Sequence, residues 1–562
     1  MAFSLHCLQN ISPNKRSTIL AIKVYVPMHA SCSFHNKTNF TLSFNQTHIS
    51  KTVKAKEALH IRHAKALGEV KRLFVSKNTD ERLSMVDSIQ RLGIEYLFEG
   101  EIEATLQRNH MMLRFQNIQG LSQVAFQFRM LRQQGYYIRP DIFNIFWDNK
   151  GKLKDTFCKD INDLVSLFEA SQLSIEGEDY LDSAGQFCRK YLNEWSSTFH
   201  NHAQVNFVTH TLMCPTHKTL SRFTPTIIQS QNVSSLQQLS IIDTQIVSSL
   251  HLKEIFAVSK WWKDLGLSKD LEFARDEPIK WYMWTMACLP DPRFSDERIE
   301  LTKPLSLIYI IDDLFDIYGN VDQLTLFTEA VKRWDLAGIE QLPDCMKVCF
   351  KALYDTTNEF ALRTHLKTGW NPISSLIKSW IKLLNAYLEE AKWFASGHVP
   401  TSEEYLKNAI VSTGVHVILV HAFFYMGQDI SDKTFSIIDD FPTIISTTAT
   451  ILRLCDDLEG DKDDNCDGND GSYSKCYMKD NPGVSIGQTR EHMRKQISDA
   501  WKQLNKECLN TNELPSSFTK LCLNAARMVP IMYSYDGNTP SKLQEYVKSL
   551  LYDDCGYLQM LI

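Results

Sequence analysis

The sequence predicts an all-α protein: two helical units behind an N-terminal leader. Two observations carry the fold class. Only 22 glycines and 17 prolines occur in 562 residues, so helix breakers are scarce. Long stretches also repeat apolar residues at helical spacing. A third observation sets the scale: the chain is 44% hydrophobic and 11% aromatic, enough for large cores, and too long for one ordinary domain.

The leader is read over residues 1–56. It holds no Asp or Glu before Glu57, but carries Lys15, Arg16, Lys23, Lys37, Lys51, Lys54 and Lys56 among many Ser, Thr and Asn. A basic, hydroxyl-rich, acid-free start is the composition of an organelle transit peptide. A disordered tail is the alternative. The apolar stretch Thr18–Met28 is short and broken by Lys23, a weak secretory signal. Sequons at Asn10, Asn36, Asn39 and Asn45 bear only on a secreted chain.

Residues 57–253 read as helix after helix. Leu92, Ile94, Tyr96, Leu97 and Phe98 lead into acidic Glu99, Glu101 and Glu103. Val124, Phe126, Phe128, Met130 and Leu131 precede a turn at Gly135, and Asp160 to Leu192 forms a helix pair broken at Glu176-Gly177-Glu178. This half contains no catalytic cluster and reads as a scaffold.

From residue 254 to 562 the character changes. Trp261, Trp262, Trp281 and Trp284 crowd together, Val411 to Met426 predicts one long helix, Asp467 to Ser474 a loop, and Leu543 to Ile562 a last helix. Within this half, Asp312, Asp313 and Asp316 follow the apolar run Ile308-Tyr309-Ile310-Ile311. On a helix Asp312 and Asp316 share one face, with Asp313 beside them. Like charges this close repel, and burial worsens the repulsion, so a cation must compensate. Crowded carboxylates suit Mg²⁺, which is held by a few carboxylates together with substrate phosphates. A second cluster, Arg453 through Asp464, places Asp456, Gly460 and Asp464 four apart on one helix face, with Arg453 one turn earlier. Two such faces in one bundle can cage metal and diphosphate. Arg275 and Arg453 can supply forked hydrogen bonds to phosphate oxygens, and aromatic walls can meet a carbocation.

Other classes are disfavoured. A net charge of −6 gives no reason to expect nucleic-acid binding. Fourteen scattered cysteines without a CxxC pair speak against structural zinc and a disulfide framework, and for reduced thiols. No apolar run reaches the roughly 18 residues of a membrane span.

From Glu57 onward the chain resembles a plant class I terpene synthase. The blocks that carry the resemblance are Phe128 to Tyr137, Glu169 to Leu173, Phe273 to Asp276, the Asp312 motif, and Arg453 through Asp464. The aspartate motif alone also occurs in chain-elongating prenyl transferases, which would need a second motif of the same kind. The resemblance implies an N-terminal α-helical barrel-like domain and a C-terminal class I terpenoid synthase bundle. It also implies a monomer that takes a prenyl diphosphate with three Mg²⁺ ions, Mn²⁺ being the alternative metal. It assigns Asp312, Asp313 and Asp316 to metal, and Asp456, Gly460 and Asp464 to the second metal motif. Arg275, Asp312, Asp316, Arg453 and Asp456 are then the catalytic and substrate-binding set. Trp284 and Tyr533 fall at aromatic pocket positions, with core packing the alternative, and Asp536 lies close by.

This chain departs from the pattern. Gly460 stands where the family has Ser or Thr, Asp464 where it has Glu, and Glu277 where a second arginine would follow Arg275. No tandem arginine with a downstream tryptophan occurs early, since Trp147 is the first tryptophan. That absence resembles the subfamily making acyclic products. With a plastid leader it points to geranyl diphosphate and to linalool, myrcene or ocimene. Nerolidol from farnesyl diphosphate, in the cytosol, is the runner-up. A catalytically impaired helical binding protein is the alternative outside enzymes. Two patterns imitate other sites: Asp461 to Asp464 mimics a class II DxDD element, and Asp463 onward mimics an EF-hand loop whose twelfth position is Ser474, without the bidentate acid.

Overall fold

The computed structural model describes residues 46–112, 120–148, 153–154, 157, 160–198, 202–223, 234–428, 430–460, 472–509, 514–532 and 545–547. Among them every regular element is helical, apart from one isolated bridge between Trp147 and Leu153. Apolar side chains form two large cores. One runs from Ala66 to Ile242, the other from Leu220 to Val547. The helix Ser234–Leu265 serves both: Leu236, Leu239 and Ile242 enter the first core, and Leu252, Ile255, Val258 and Trp262 the second. The cores therefore exchange within one unbroken helix. The first described helix, Gln46–Ser76, starts upstream of Glu57.

The N-terminal sequence blocks turn out to be stitches between helices. Arg132, on Leu121–Gln133, forks onto Glu178 (Nη1 to Oε2, 2.6 Å) and donates to the carbonyls of Ile138 and Leu173. Glu169 receives the Thr216 amide at 3.0 Å and its hydroxyl at 2.9 Å. Buried charges persist only when paired and hydrogen-bonded in this way. Across the two units, His217 Nε2 lies 2.7 Å from Asn505 Oδ1, and Asn505 donates to the carbonyls of Gln172 and Ser174. Arg527 Nε donates to the His217 carbonyl at 2.6 Å. Helices of the two cores are thus joined by directional bonds as well as by apolar contact.

The predicted helix pair is present as Ile161–Ser171 and Asp179–Thr198, broken where Gly177 takes φ +86°. The single helix expected from Val411 to Met426 is not. One helix ends at Ser412, and another runs Val415–Met426 after Gly414 adopts φ 69°. Gly414 takes a left-handed backbone that no helix interior accepts. The expected loop to Ser474 also ends early, because the helix Tyr473–Asp480 already contains Ser474. Glu545 to Val547 is the described part of the expected last helix. By length and composition the stretch Ser402–Met426 is apolar enough to cross a membrane, which the run-length reading did not anticipate. Its most apolar window is 78% buried inside the protein, as a core helix should be. The nine cysteines among the described residues that are assigned a state are free.

Gly427 closes the helix Val415–Met426 with φ +67°, and a Cβ there would meet Thr368 Cγ2 at 2.5 Å. Gly427→Ala combines left-handed strain with a clash. It is expected to cost about 1–3 kcal/mol, read as a lower denaturant midpoint.

Candidate active site

The helix Ser295–Asp313 is buried on nearly all sides, as befits the centre of a bundle. It delivers Asp312, 4% exposed, and fully buried Asp313. Beyond Asp313 the helix widens: Leu314–Tyr318 is a π-helical turn, closed by the Gly319 amide on the Leu314 carbonyl at 3.2 Å. The sequence predicted a continuous α-helical face for Asp312 and Asp316. Instead Asp316 sits in the wider turn, half-buried. Such turns occur often at functional sites. The two carboxylates remain electrostatic neighbours, because the Asp312 charge helps push Asp316 up.

Arg275 lies against this cluster from the chain segment before Pro278–Cys288. Its Nη2 is 2.5 Å from Asp312 Oδ2, its Nε is 3.0 Å from Asp313 Oδ2, and its backbone amide donates to Asp313 at 2.7 Å. The guanidinium stands 4.7 Å over the Tyr309 ring. Asp276 accepts from the Trp262 indole at 2.6 Å, which anchors this segment. Glu277 pairs with Lys280 at 3.0 Å, and its charge adds to the forces raising Asp313.

Burial pushes Asp312 up to about 6, against the opposing pull of Arg275. Burial also raises Asp313, and raises Asp316 well above the usual carboxylate range.

The second motif occupies the end of Thr443–Gly460. Buried Arg453 has Nη1 3.5 Å from Asp456 Oδ2 and Nη2 3.5 Å from Ser412 Oγ. These contacts are long, and they leave a guanidinium with donors to spare. Gly460 is the exposed last residue of the helix. A Cβ there would meet nothing within 4 Å. Asp464, Tyr533 and Asp536 lie outside the described residues. Trp284 is 1% exposed within Pro278–Cys288 and belongs to the large core.

Sequence reasoning missed Glu390. It projects from Ile373–Ser396 and accepts from Ser412 Oγ at 2.7 Å and Asn408 Nδ2 at 3.2 Å. Burial raises it, Arg453 pulls it down, and the Asp312 charge pushes it up. Glu390 also raises Asp316. It shares Ser412 with Arg453 of the second motif, and its helix packs against the turn that carries Asp316. Its only local mark was a Glu389-Glu390 pair on a long helix.

Among the described residues, no three carboxylate, imidazole or thiolate groups already converge as a metal cage. The donor chemistry nevertheless fits one. Asp312, Asp313, Asp316 and Glu390 are hard oxygen donors, and the first three share Arg275 as their near cation. All four are raised by burial, and all four also by neighbouring carboxylates. A divalent cation removes that cost.

Comparison with known proteins agrees. Residues 35–212 match the family model "Terpene synthase, N-terminal domain", and residues 263–503 match "Terpene synthase family, metal binding domain". The chain is 50% identical to a chloroplastic neryl diphosphate diphosphatase of Glycine max, over 88% of this chain and 95% of that protein. It is 44% identical to a chloroplastic S-(+)-linalool synthase of Arabidopsis thaliana, over 93% and 91%. Its fold matches isoprene synthase of grey poplar, solved with three Mg²⁺ ions and dimethylallyl-S-thiolodiphosphate. The TM-score is 0.81 at 32% identity, over 88% of this chain and 96% of that one. With this fold, these two motifs and these relatives, the chain belongs to the terpene synthase family and carries that family's metal-binding domain.

Proposed function

We propose that the protein is an acyclic monoterpene synthase that ionises geranyl diphosphate to linalool, myrcene or ocimene with Mg²⁺. The observation that supports it most is the Ser412 hydroxyl, which joins Glu390 to Arg453 while the helix of Glu390 packs against the turn that carries Asp316. Asp312, Asp313, Asp316 and Glu390 would hold metal, joined by Asp456 and Asp464 of the second motif, in which Gly460 supplies no hydroxyl. Three Mg²⁺ ions are the expected complement, with Mn²⁺ a possible replacement. When bound, the metal supplies electrostatic stabilisation of the leaving diphosphate. Arg453 contributes forked donors to the same oxygens, and Arg275 adds charge from the other rim. The buried aromatic residues around Tyr309 and Tyr387 keep water from the cation until proton loss or water capture ends the reaction.

The ten-carbon substrate rests on the acid-free leader and on the chloroplastic relatives. The same observations support a plastid location, with residues 1–56 as the leader, 57–253 as scaffold and 254–562 as catalytic unit.

The test is incubation with Mg²⁺ and geranyl, neryl or farnesyl diphosphate, with volatile products identified by gas chromatography–mass spectrometry. Acyclic ten-carbon products support the reading. Fifteen-carbon product alone would replace it with the nerolidol reading. Two variants sharpen it. Glu390→Gln should raise the Mg²⁺ needed for half-maximal rate by on the order of ten-fold. Gly460→Ser, for which the structure has room, should lower it by about three- to ten-fold, or about 0.7–1.4 kcal/mol.

A further inference from the structure

Asp457 is adjacent to Asp456 but points elsewhere. It is 6% exposed, and both of its oxygens are engaged by the chain. The Tyr405 hydroxyl donates to it at 3.0 Å (Oδ2) and 3.2 Å (Oδ1), and the Tyr473 amide donates to Oδ2 at 3.1 Å. Arg453 Nη1 lies 3.6 Å from Oδ1. Successive helix residues point about 100° apart, as 3.6 residues per turn requires, and Asp457 turns toward Ser402–Ser412 and Tyr473–Asp480.

The three partners belong to three helices. Arg453 shares Thr443–Gly460 with Asp457, Tyr405 lies on Ser402–Ser412, and Tyr473 opens Tyr473–Asp480. The far end of Tyr473–Asp480 returns to the same neighbour, since Asp480 Oδ2 accepts from the Ser402 amide at 2.7 Å and its hydroxyl at 2.8 Å. Two turns beyond Tyr405, the helix Ser402–Ser412 carries Ser412, which donates to Glu390 and lies beside Arg453. The contacts form a circuit: Asp457 fixes Tyr405, Tyr405 fixes the helix, and Ser412 on that helix sets both Glu390 and Arg453.

We propose that Asp457 is a positioning residue, which receives Tyr405 and the Tyr473 amide so that Arg453 and Glu390 keep their spacing for metal-bound diphosphate. The proposal rests on the active-site reading above. It assigns Asp457 no direct contact with metal, because its carboxylate is turned to the helices Ser402–Ser412 and Tyr473–Asp480. Outer-shell groups of this kind tune metal affinity by about 10- to 100-fold.

The test is the upward shift in melting temperature produced by Mg²⁺ with inorganic pyrophosphate, titrated in Mg²⁺, which needs no turnover. Tyr405→Phe removes one donor and keeps the ring. It should raise the Mg²⁺ midpoint by about ten-fold, while the bare protein's melting temperature changes little. Asp457→Asn, which retains one acceptor, should shift the midpoint in the same direction. If Tyr405→Phe titrates like the natural chain, the proposal is overturned. If Asp457→Asn abolishes the response while Tyr405→Phe leaves it intact, Asp457 is a ligand and the proposal is likewise overturned. A natural chain with no response to Mg²⁺ and pyrophosphate would sink the active-site reading itself, and this inference with it.

Discussion

Asp312→Asn is expected to lower turnover of the prenyl diphosphate by on the order of 10³, or about 4 kcal/mol of transition-state stabilisation. The substitution is near-isosteric, and Asp313 keeps its own bonds to Arg275, at 2.7 Å from the backbone amide and 3.0 Å from Nε. The local packing therefore survives. What disappears is one of the charges that make this corner attractive to a divalent cation. Loss of that charge relieves repulsion with Asp316 but also weakens the bond to Arg275, so the thermal midpoint should change little while activity falls. Steady-state kinetics and a melt on the same preparation check both halves. A variant within five-fold of the natural rate would remove Asp312 from the metal site.

The largest effect on stability is expected at Arg298, far from the chemistry. Arg298 is fully buried, and Glu254, 1% exposed, receives its fork at 2.7 and 2.6 Å. Tyr282 donates to the same carboxylate at 2.6 Å, and the Leu289 and Asp291 carbonyls accept from Nη1. Arg298→Met leaves Glu254 buried with one neutral donor and removes the donor from both carbonyls. Breaking a buried pair from one side costs about 3–5 kcal/mol. The double variant Arg298→Met with Glu254→Leu should recover part of the loss, because no charge is then stranded. Urea midpoints of the two variants decide it: equal losses would mean that packing, rather than the stranded charge, sets the cost.

Where a contact is written in consecutive residues, the sequence was readable. Asp312 and Asp313 are consecutive, and Arg453 lies one turn before Asp456, so nearness in sequence becomes nearness in space; Asp316 departs from its predicted face in the π-helical turn. All-helical architecture followed from few breakers and long periodic segments. Glu390 was invisible because its partners, Asn408 and Ser412, lie on another helix. The π-helical turn could not be read, since widening a helix by one residue leaves no compositional trace. The break at Gly414 was hidden because a lone glycine within a helical pattern can be tolerated as well as break it. The exchange of cores within Ser234–Leu265 was equally silent, because one helix can turn successive apolar stretches to different neighbours. The roles of Trp281 and Trp284 show the converse: conspicuous in sequence, they are both buried within the core.

Arg275 has a consequence for the order in which this protein is assembled. Its guanidinium already sits on Asp312 and Asp313, so the chain carries an internal counter-ion for the acids it buries. Folding need not wait for metal at Asp312 and Asp313, whose burial Arg275 partly offsets. Stability is in place before the ion arrives, and metal enters a finished bundle as a late, removable part. A chelator should silence such a protein without unfolding it, and returning Mg²⁺ should revive it without any step of refolding.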